Sequence, residues 1–222
     1  MAGGGTSSGS PGPAGSERVF RLDYETPPEW VERVAEDPLA LLADHAHCEL
    51  KAAASAQALI ARYPQHGALA LAMAELAVEE MQHFVRVLGE LQARGGALER
   101  TTPSPYAEAL HSRSAAAGRT DVLLDRLIIA GLIEARSLER FHLLAEGLAD
   151  EALAALYREL LPSEAAHRGL FFGFARKLFP RSRADERECE LRALEGEIMA
   201  GLPFVVRVHS GMAAERAGDM AP

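Results

Sequence analysis

Two Glu-x-x-His motifs, EMQH at residues 80–83 and EAAH at residues 164–167, constrain this chain more than any other feature. Each motif follows a lone glutamate in an upstream helical stretch, Glu49 before the first motif and Glu134 before the second. The separations from these glutamates to the motifs are 31 and 30 residues, so the arrangement nearly repeats. Helical bundles hold two metal ions with one glutamate from each of two helices and a Glu-x-x-His from each of two others. The sequence therefore predicts a four-helix bundle with a dinuclear metal site in its core.

The apolar residues follow a helical spacing along most of the chain. They recur in alternating steps of about three and four residues, which places them in a seam along one helical face. This spacing predicts four long helices, over residues 38–62, 67–93, 121–147 and 150–179. A short helix opened by PPEW at residues 27–30, a last helix over 184–201 and an apolar tail over 202–206 are expected to flank the bundle. No stretch shows the alternation that is typical of a strand.

The connection between the second and third long helices, residues 94–120, is longer than compact domains usually allow. It contains Gly95-Gly96 and two prolines, and its one predicted helix is short, near residues 106–111. A crossover link, as in ferritin-like bundles, explains this length. The expected fold is therefore all-α, a ferritin-like four-helix bundle with a long crossover connection and extra N- and C-terminal helices.

Composition sets the expected domain boundaries. Residues 1–17 are rich in Gly, Ser and Pro and are expected to form a flexible tail, followed by the bundle domain over 18–211 and a short tail over 212–222. The N-terminus lacks the basic and apolar regions of a secretory signal, and no apolar run approaches the ~20 residues of a membrane span. The two cysteines form no CxxC pair, so we expect a protein of the reducing cytoplasm.

Six ionisable side chains occupy seam positions that otherwise carry Leu, Ala, Met and Phe. A carboxylate that faces a bundle core without a partner is costly, and four that converge there also repel one another. Two divalent cations neutralise four carboxylates, so the arrangement predicts a dinuclear site. Mixed carboxylate and imidazole ligation suits iron or manganese. The predicted ligands are Glu49, Glu80, His83, Glu134, Glu164 and His167.

Two further residues are candidates for orienting these ligands from outside the metal site. His45 lies one helical turn before Glu49, and packing in the core or on the surface is the alternative for it. Glu139 is the rival to Glu134 as a ligand, but it lies off the seam, so a place outside the metal site or pairing with Arg136 or Arg140 is favoured for it. The other histidines are not expected to bind metal, and no thiolate ligand is implied. A single Glu-x-x-His usually lies on a solvated face, but two copies on apolar seams favour the metal site.

The net charge of −9 does not indicate a chain that binds polyanions over its whole surface. Any contact with nucleic acid would therefore have to be local. Residues 168–183 contain five basic and no acidic side chains. The alternative to RNA contact is an ordinary solvated helix end, where basic groups are also favoured. The candidate RNA-binding residues are Arg168, Arg176, Lys177, Arg181 and Arg183.

The candidate ligands lie within longer stretches that are more specific than the motifs themselves. These stretches, between about Thr26 and Gly211, are PPEW, DHAHCELKAA, EEMQHF, DRLIIAGLIEARSLERF, SEAAH and RVHSG. By them the chain resembles the MiaE-type tRNA hydroxylases, which are ferritin-like non-haem diiron monooxygenases. The resemblance implies that the six predicted ligands bind two iron ions. It also implies O2-dependent hydroxylation of the isopentenyl group on 2-methylthio-N6-isopentenyladenosine, beside the tRNA anticodon.

This implied reaction requires more than the chain itself supplies. O2 would be the co-substrate, and two electrons would have to come from an external donor of the ferredoxin or reductase type, because no flavin, haem or rubredoxin signature is present. The prenyl group needs an apolar pocket, for which Leu76, Leu138 and Phe171 are candidates. Pro162, two residues before Glu164, is expected to kink the fourth long helix or to start a new segment.

Two other functions compete with the hydroxylase interpretation. A ferritin-like protein for iron handling or peroxide scavenging would form large assemblies, turn over iron without substrate and lack RNA affinity. A metal-free bundle would bind RNA or protein, and its buried glutamates and histidines would pair only with one another. The specific flanking stretches favour the hydroxylase. The oligomeric state, monomer or dimer, is left open by the sequence.

Overall fold

The computed structural model describes residues 22–100, 103–116 and 121–214, so the predicted tail over 1–17 lies outside the described residues, as does most of the tail over 212–222. The described part contains seven helices: α1 (Glu29–Val34), α2 (Pro38–Arg62), α3 (Gly67–Ala93), α4 (Pro105–Ala116), α5 (Val122–Gly147), α6 (Glu151–Leu178) and α7 (Arg181–Gly201). Its only β structure is an isolated bridge between Pro203 and Ala213. The all-α prediction is therefore confirmed. Among the described helices, none combines the length and hydropathy needed to cross a membrane.

Aspartate side chains begin three of the four long helices. Each accepts hydrogen bonds from backbone N–H groups of the first turn, which would otherwise have no partner: Asp37 at α2, Asp121 at α5 and Asp150 at α6. Because these signals are local, the bounds of the four long helices lie within one residue of the predicted ones. The short α4 extends beyond the predicted end at residue 111, and α7 begins at residue 181 rather than 184.

The four long helices form two hairpins. α2 packs along α3, and α5 packs along α6, while α4 and α7 pack against each other and against α5. Short loops make consecutive helices antiparallel neighbours, and the long connection that contains α4 carries the chain from one hairpin to the other. This is the predicted ferritin-like bundle with a crossover connection.

A polar layer divides the apolar core of the bundle into two clusters. One cluster includes Leu69, Leu127 and Phe171, and the other includes Trp30 and Tyr157. Along each of the four long helices the predicted ligands lie between residues of one cluster and residues of the other. The predicted metal ligands therefore lie in the middle of the bundle, with apolar packing on both sides of them.

Pro162 does not interrupt its helix. α6 runs continuously from Glu151 to Leu178 with Pro162 inside it, so the expectation of a new segment at this position is wrong. A proline inside a helix removes one backbone hydrogen bond and crowds the carbonyl four residues earlier, so the expected kink stays a prediction. Pro162 is exposed, and solvent can hydrogen-bond the carbonyl left without a partner.

Buried charges attach the N-terminal segment and α4 to the bundle. Nε and Nη2 of Arg136 each donate to the carboxylate of Glu195 at 2.9 Å, and both side chains are fully buried. Nη1 of Arg136 donates to Glu139 at 2.6 Å, and Glu139 also accepts from the backbone N–H and the hydroxyl of Thr26. The hydroxyl of Tyr106 on α4 donates to Glu195 at 3.0 Å. Thr26 thus joins the N-terminal segment to α5.

We expect Glu195→Ala to lower the free energy of unfolding by on the order of 3 kcal/mol, because it leaves the buried Arg136 guanidinium with only one of its two carboxylates. Glu197→Ala is the matched control on the same helix, since its ion pair with Arg113 is exposed and its loss should cost less than about 1 kcal/mol. Denaturant unfolding measures both values. Equal losses in the two variants would contradict a structural role for the buried network.

Candidate metal centre

The bundle brings the six predicted ligands together in the polar layer. They form two ligand groups whose ligand atoms lie within 4.8 Å of one another: Glu49, His83 and Glu164 in the first, and Glu80, Glu134 and His167 in the second. Each group takes its three side chains from three different helices and from both hairpins.

These six side chains are buried, and three of them have polar atoms without a hydrogen-bond partner in the described part of the chain. None of the six is more than 8% exposed. Within the described residues, both carboxylate oxygens of Glu80, Nδ1 of His83 and both ring nitrogens of His167 have no hydrogen-bond partner. Nδ1 of His167 lies 3.0 Å from Oε1 of Glu80, but the contact lacks the geometry of a hydrogen bond. A buried polar atom without a partner is costly, and a cation within each ligand group would supply a partner for the atoms that face the group, which excludes Nε2 of His167.

The electrostatics of the carboxylates support the same conclusion. Burial raises the pKa of Glu49, Glu134 and Glu164 well above the usual value, and the neighbouring carboxylates raise it further. Burial also opposes ionisation of Glu80, but contacts with His167 and His83 outweigh it and hold the pKa of Glu80 below its usual range. Burial and mutual repulsion therefore both disfavour four ionised carboxylates in the absence of cations.

The donor set determines which ions these groups fit. Four carboxylates and two imidazoles offer oxygen and nitrogen donors and no thiolate, which suits iron or manganese. Two divalent ions would balance the charge of four ionised carboxylates. Since each group contains only three protein side chains, coordination positions stay open for water or a small co-substrate.

The structure places the two residues that were expected to orient ligands in different surroundings. Nε2 of His45 lies 2.6 Å from Oε1 of Glu49, and burial lowers the pKa of His45 to about 3, so its neutral ring can donate to this carboxylate. The ring is buried between Phe141 and Tyr157. Glu139 belongs to the Arg136 network, which is its alternative from the sequence, and it has no contact with a ligand within the described residues.

Sequence reasoning missed Glu79, the residue before the first motif. Its Oε2 lies 3.1 Å from Nε2 of His167 on the neighbouring helix α6. Burial lowers the pKa of His167, but Glu80, Glu134 and Glu79 outweigh it and raise that pKa to about 9. Glu79 is half-exposed and lies one position away from the seam residue Glu80, so no spacing rule singles it out.

A cavity of about 220 Å³ reaches the ligand groups from the side of α2 and α5. All four ligand carboxylates line it, whereas neither ligand histidine does. Its apolar wall includes Leu59, Ile133 and Phe171, and it opens to solvent beside the exposed Arg62. Of the three residues predicted to form an apolar pocket, Phe171 lines this cavity. Leu76 and Leu138 instead pack in the core and do not line it, which corrects that prediction.

A second wall of the cavity is polar. Nε2 of His209 lies 3.1 Å from the hydroxyl of Ser137, and its ring stacks on Tyr106 with 5.0 Å between centroids. Burial lowers the pKa of His209 to about 3, so the ring is neutral. Sγ of Cys48 lies 3.9 Å from Nδ1 of His209, and burial raises the pKa of this thiol, which keeps it protonated.

Basic side chains also line the cavity, and because all of them are exposed or half-buried, we call the part that they line its mouth. The lining includes Lys51, Arg62, Arg126 and Arg207. Within the described residues, Arg62 and Arg126 form no ion pair. The acidic side chain among them is Asp44, whose Oδ1 lies 3.8 Å from Nε of Arg207.

The basic stretch predicted to contact RNA lies where α6 ends and α7 begins, and acidic residues of α7 neutralise part of it. Arg176 donates to Asp185 and Glu188, and Arg181 lies 3.6 Å from Asp185 although it is 81% exposed. Lys177 is exposed over the ring of Phe174, while Arg168 and Arg183 are half-buried.

Comparison with known sequences finds close relatives over most of the chain. The sequence profile of the family described as "tRNA-(MS[2]IO[6]A)-hydroxylase (MiaE)" matches residues 16–210. A tRNA 2-(methylsulfanyl)-N(6)-isopentenyladenosine(37) hydroxylase from Pseudomonas putida is 38% identical over 193 residues, which cover 86% of this chain and 92% of the relative. A protein of the same name from Salmonella typhimurium is 29% identical over a 246-residue alignment, with coverage of 87% and 88%.

A solved structure shares the fold. A Synechococcus protein described as having aldehyde deformylating oxygenase activity superposes with a TM-score of 0.80 and 40% sequence identity, covering 86% of this chain and 96% of its own. A similarity of this extent indicates the same bundle architecture, in a protein whose described activity is also that of an oxygenase.

We expect the metal-free protein to lose stability as the pH rises from 6.5 to 9. Glu49, Glu134 and Glu164 have a higher pKa in the folded state than when unfolded, so their stabilisation is complete at low pH and is lost as the pH rises towards the folded pKa. His167, with a folded pKa of about 9, adds a loss between its ordinary value of 6.5 and about pH 9. Thermal unfolding across this range measures the effect.

The same protein loaded with two equivalents of Mn²⁺ is the control. Bound cations remove the repulsion among the carboxylates, so its unfolding temperature should be higher and should change less with pH. The buried, neutral His45 and His209 do not complicate the comparison, because their contribution changes only below about pH 6.5. A steeper pH-dependent loss in the loaded protein would contradict this account.

Proposed function

The chain is a member of the MiaE family of tRNA hydroxylases, and from this membership and the ligand groups we propose how it acts. It is an oxidoreductase that modifies tRNA. It hydroxylates the isopentenyl group of 2-methylthio-N6-isopentenyladenosine beside the anticodon, and it uses two iron ions and O2 to do so.

The observation that supports this function best is the cavity that joins the four ligand carboxylates to solvent. Its inner wall is apolar and buried, which suits a five-carbon prenyl group, and its mouth is basic, which suits the phosphates of an RNA loop. A protein that only stored iron would need neither the apolar wall nor a basic mouth of this kind.

The protein residues hold the ions and position the substrate. Glu49, His83 and Glu164 would hold one ion, and Glu80, Glu134 and His167 the other, while His45 donates to Glu49 and orients it. When bound, the two iron ions supply the oxidising chemistry needed to attack an aliphatic C–H bond.

The cavity residues determine which part of the substrate reaches the ions. Ile133 and Phe171 would contact the prenyl group, hold it beside the ligand groups and exclude water from them. The ring of His209, held by Ser137 and Tyr106, forms part of the polar wall. Because this ring is neutral, it places no positive charge beside the prenyl group.

The reaction balances only with an external reductant. The prenyl C–H bond, O2, two electrons and two protons give the alcohol and one molecule of water, so the O–O bond breaks and one oxygen enters the substrate. A ferredoxin or reductase type of partner supplies the electrons in this proposal. Such a protein would act on tRNA in the cytoplasm.

A second candidate function comes from the solved Synechococcus structure. That protein is described as an aldehyde deformylating oxygenase, and the apolar wall of the present cavity would also accept an aliphatic aldehyde. The basic mouth favours tRNA over an aldehyde, because an uncharged chain has no group that interacts with four cationic side chains.

The function is tested with protein loaded anaerobically with ferrous iron, then given reductant, air and prenylated tRNA. We expect two irons per chain and a gain of one oxygen in the modified adenosine, measured by mass spectrometry of the nucleosides. A parallel reaction with a medium-chain aldehyde should yield no alkane. Unchanged tRNA together with alkane formation would contradict tRNA as the substrate and favour an aldehyde. Activity that does not require bound iron would contradict the proposed metal centre.

The tRNA interface is tested with two sets of substitutions. We propose that phosphates bind Arg62 and Arg126 at the cavity mouth, and that Lys177, Arg181 and Arg183 of the predicted basic stretch bind a second group of phosphates. Changing either set to Gln should weaken tRNA affinity. It should also reduce the slope of log K against log salt by about 0.7–0.9 for each phosphate that the variant no longer neutralises.

The matched control is Arg113→Gln, which removes one exposed cation that is already paired with Glu197. Its affinity should stay close to that of the unsubstituted protein. A set whose change alters neither the affinity nor the salt slope does not belong to the RNA interface.

A further inference from the structure

His167 lies between two carboxylates, of which only one belongs to a ligand group. Its Nδ1 lies 3.0 Å from Oε1 of Glu80, inside the second ligand group. Its Nε2 lies 3.1 Å from Oε2 of Glu79, outside that group. The two nitrogens of one ring therefore face opposite ways, one towards the ligand atoms and one towards the surface.

This orientation determines which nitrogen can bind a cation. The nitrogen that faces the ligand group, Nδ1, must be unprotonated to bind, so the proton of the neutral ring resides on Nε2. An N–H group in this position, only 3% exposed as part of His167, needs an acceptor. Glu79 is at the right distance to accept. Its side chain is 46% exposed, so it has room to rotate and bring Oε2 into line with the N–H bond.

We propose that Glu79 is a positioning residue for the metal centre, a proposal that rests on the proposed function. Glu79 accepts the Nε2–H of His167, which fixes the tautomer and the rotation of the ring and makes Nδ1 a better donor to a cation. Such outer carboxylates change metal affinity without touching the metal.

The two ligand groups differ in this respect. Within the described residues, the only carboxylate at ion-pair distance from His83 is Glu80, at 3.6 Å, and Glu80 is itself a ligand. Among the described residues, His83 thus has no carboxylate from outside the ligand groups that could accept a hydrogen bond from its ring. Removing Glu79 should weaken one of the two metal positions and leave the other nearly unchanged.

Glu79 also lies away from the substrate cavity. The cavity approaches the ligand groups from α2 and α5, whereas Glu79 connects α3 to α6, and it does not line the cavity. A change at Glu79 should consequently act on metal binding and leave tRNA affinity as it is.

The experiment compares Glu79→Ala, Glu79→Gln and the control Glu75→Ala, which alters an exposed glutamate one turn earlier on the same helix. Each metal-free protein is titrated anaerobically with Fe²⁺ and, separately, with Mn²⁺. We expect Glu79→Ala to weaken one of two equivalents by about 10- to 100-fold. Glu79→Gln should lose less, since its amide oxygen still accepts, and Glu75→Ala should match the unsubstituted protein. Two equivalents bound by Glu79→Ala with unchanged affinity would overturn the proposal.

A second readout is independent of activity and of affinity. In protein loaded with diamagnetic Zn²⁺, nitrogen NMR of the ring should show His167 protonated at Nε2, and hydrogen exchange of that proton should be faster in Glu79→Ala than in Glu75→Ala. Equal exchange rates would overturn the proposal. A metal loss specific to Glu79→Ala in a protein that does not modify tRNA would support the positioning role while refuting the hydroxylase function.

Discussion

The burial of four carboxylates inside an apolar bundle is the constraint on which the rest of the structure depends. Within the described residues, neither oxygen of Glu80 has a hydrogen-bond partner, and beyond the contact of His45 with Glu49 the carboxylates mainly face the two ligand histidines and one another. The apolar core is consequently divided into two clusters, one on each side of the polar layer. Protonation relieves the repulsion in part, and two cations relieve it more completely.

The bundle separates two kinds of function on two of its faces. The carboxylates of α2 and α5 line the cavity that opens at the basic mouth, whereas the ligand histidines of α3 and α6 face away from it. A bulky RNA loop can therefore approach one side of the metal centre while His167 and its carboxylate partner stay outside the substrate path. In the proposed function, substrate selection and metal affinity thus depend on different residues.

Local signals made most of the fold predictable, and also the six candidate ligands that the structure brings together. Aspartate caps determine where helices begin, and a charged residue in an apolar seam is visible in sequence without knowledge of its partners. Interactions across helices were less predictable. The role of Glu79 depends on how α3 packs against α6, and the prediction for Leu76 and Leu138 was wrong because seam position does not determine which core side chains border a cavity. The continuity of α6 through Pro162 likewise depends on which side of the helix faces solvent.

The distribution of the ligands between the two hairpins has a consequence for the chain as a whole. Each hairpin supplies three ligands, but neither contains a complete ligand group, since each group combines side chains from both hairpins. Each of the two ions would therefore link one hairpin to the other. The connection that carries α4 keeps the two hairpins at a high local concentration, while the bound ions would help to align them. Two separate chains, one for each hairpin, would still share the two apolar clusters, and bound metal would make their association tighter.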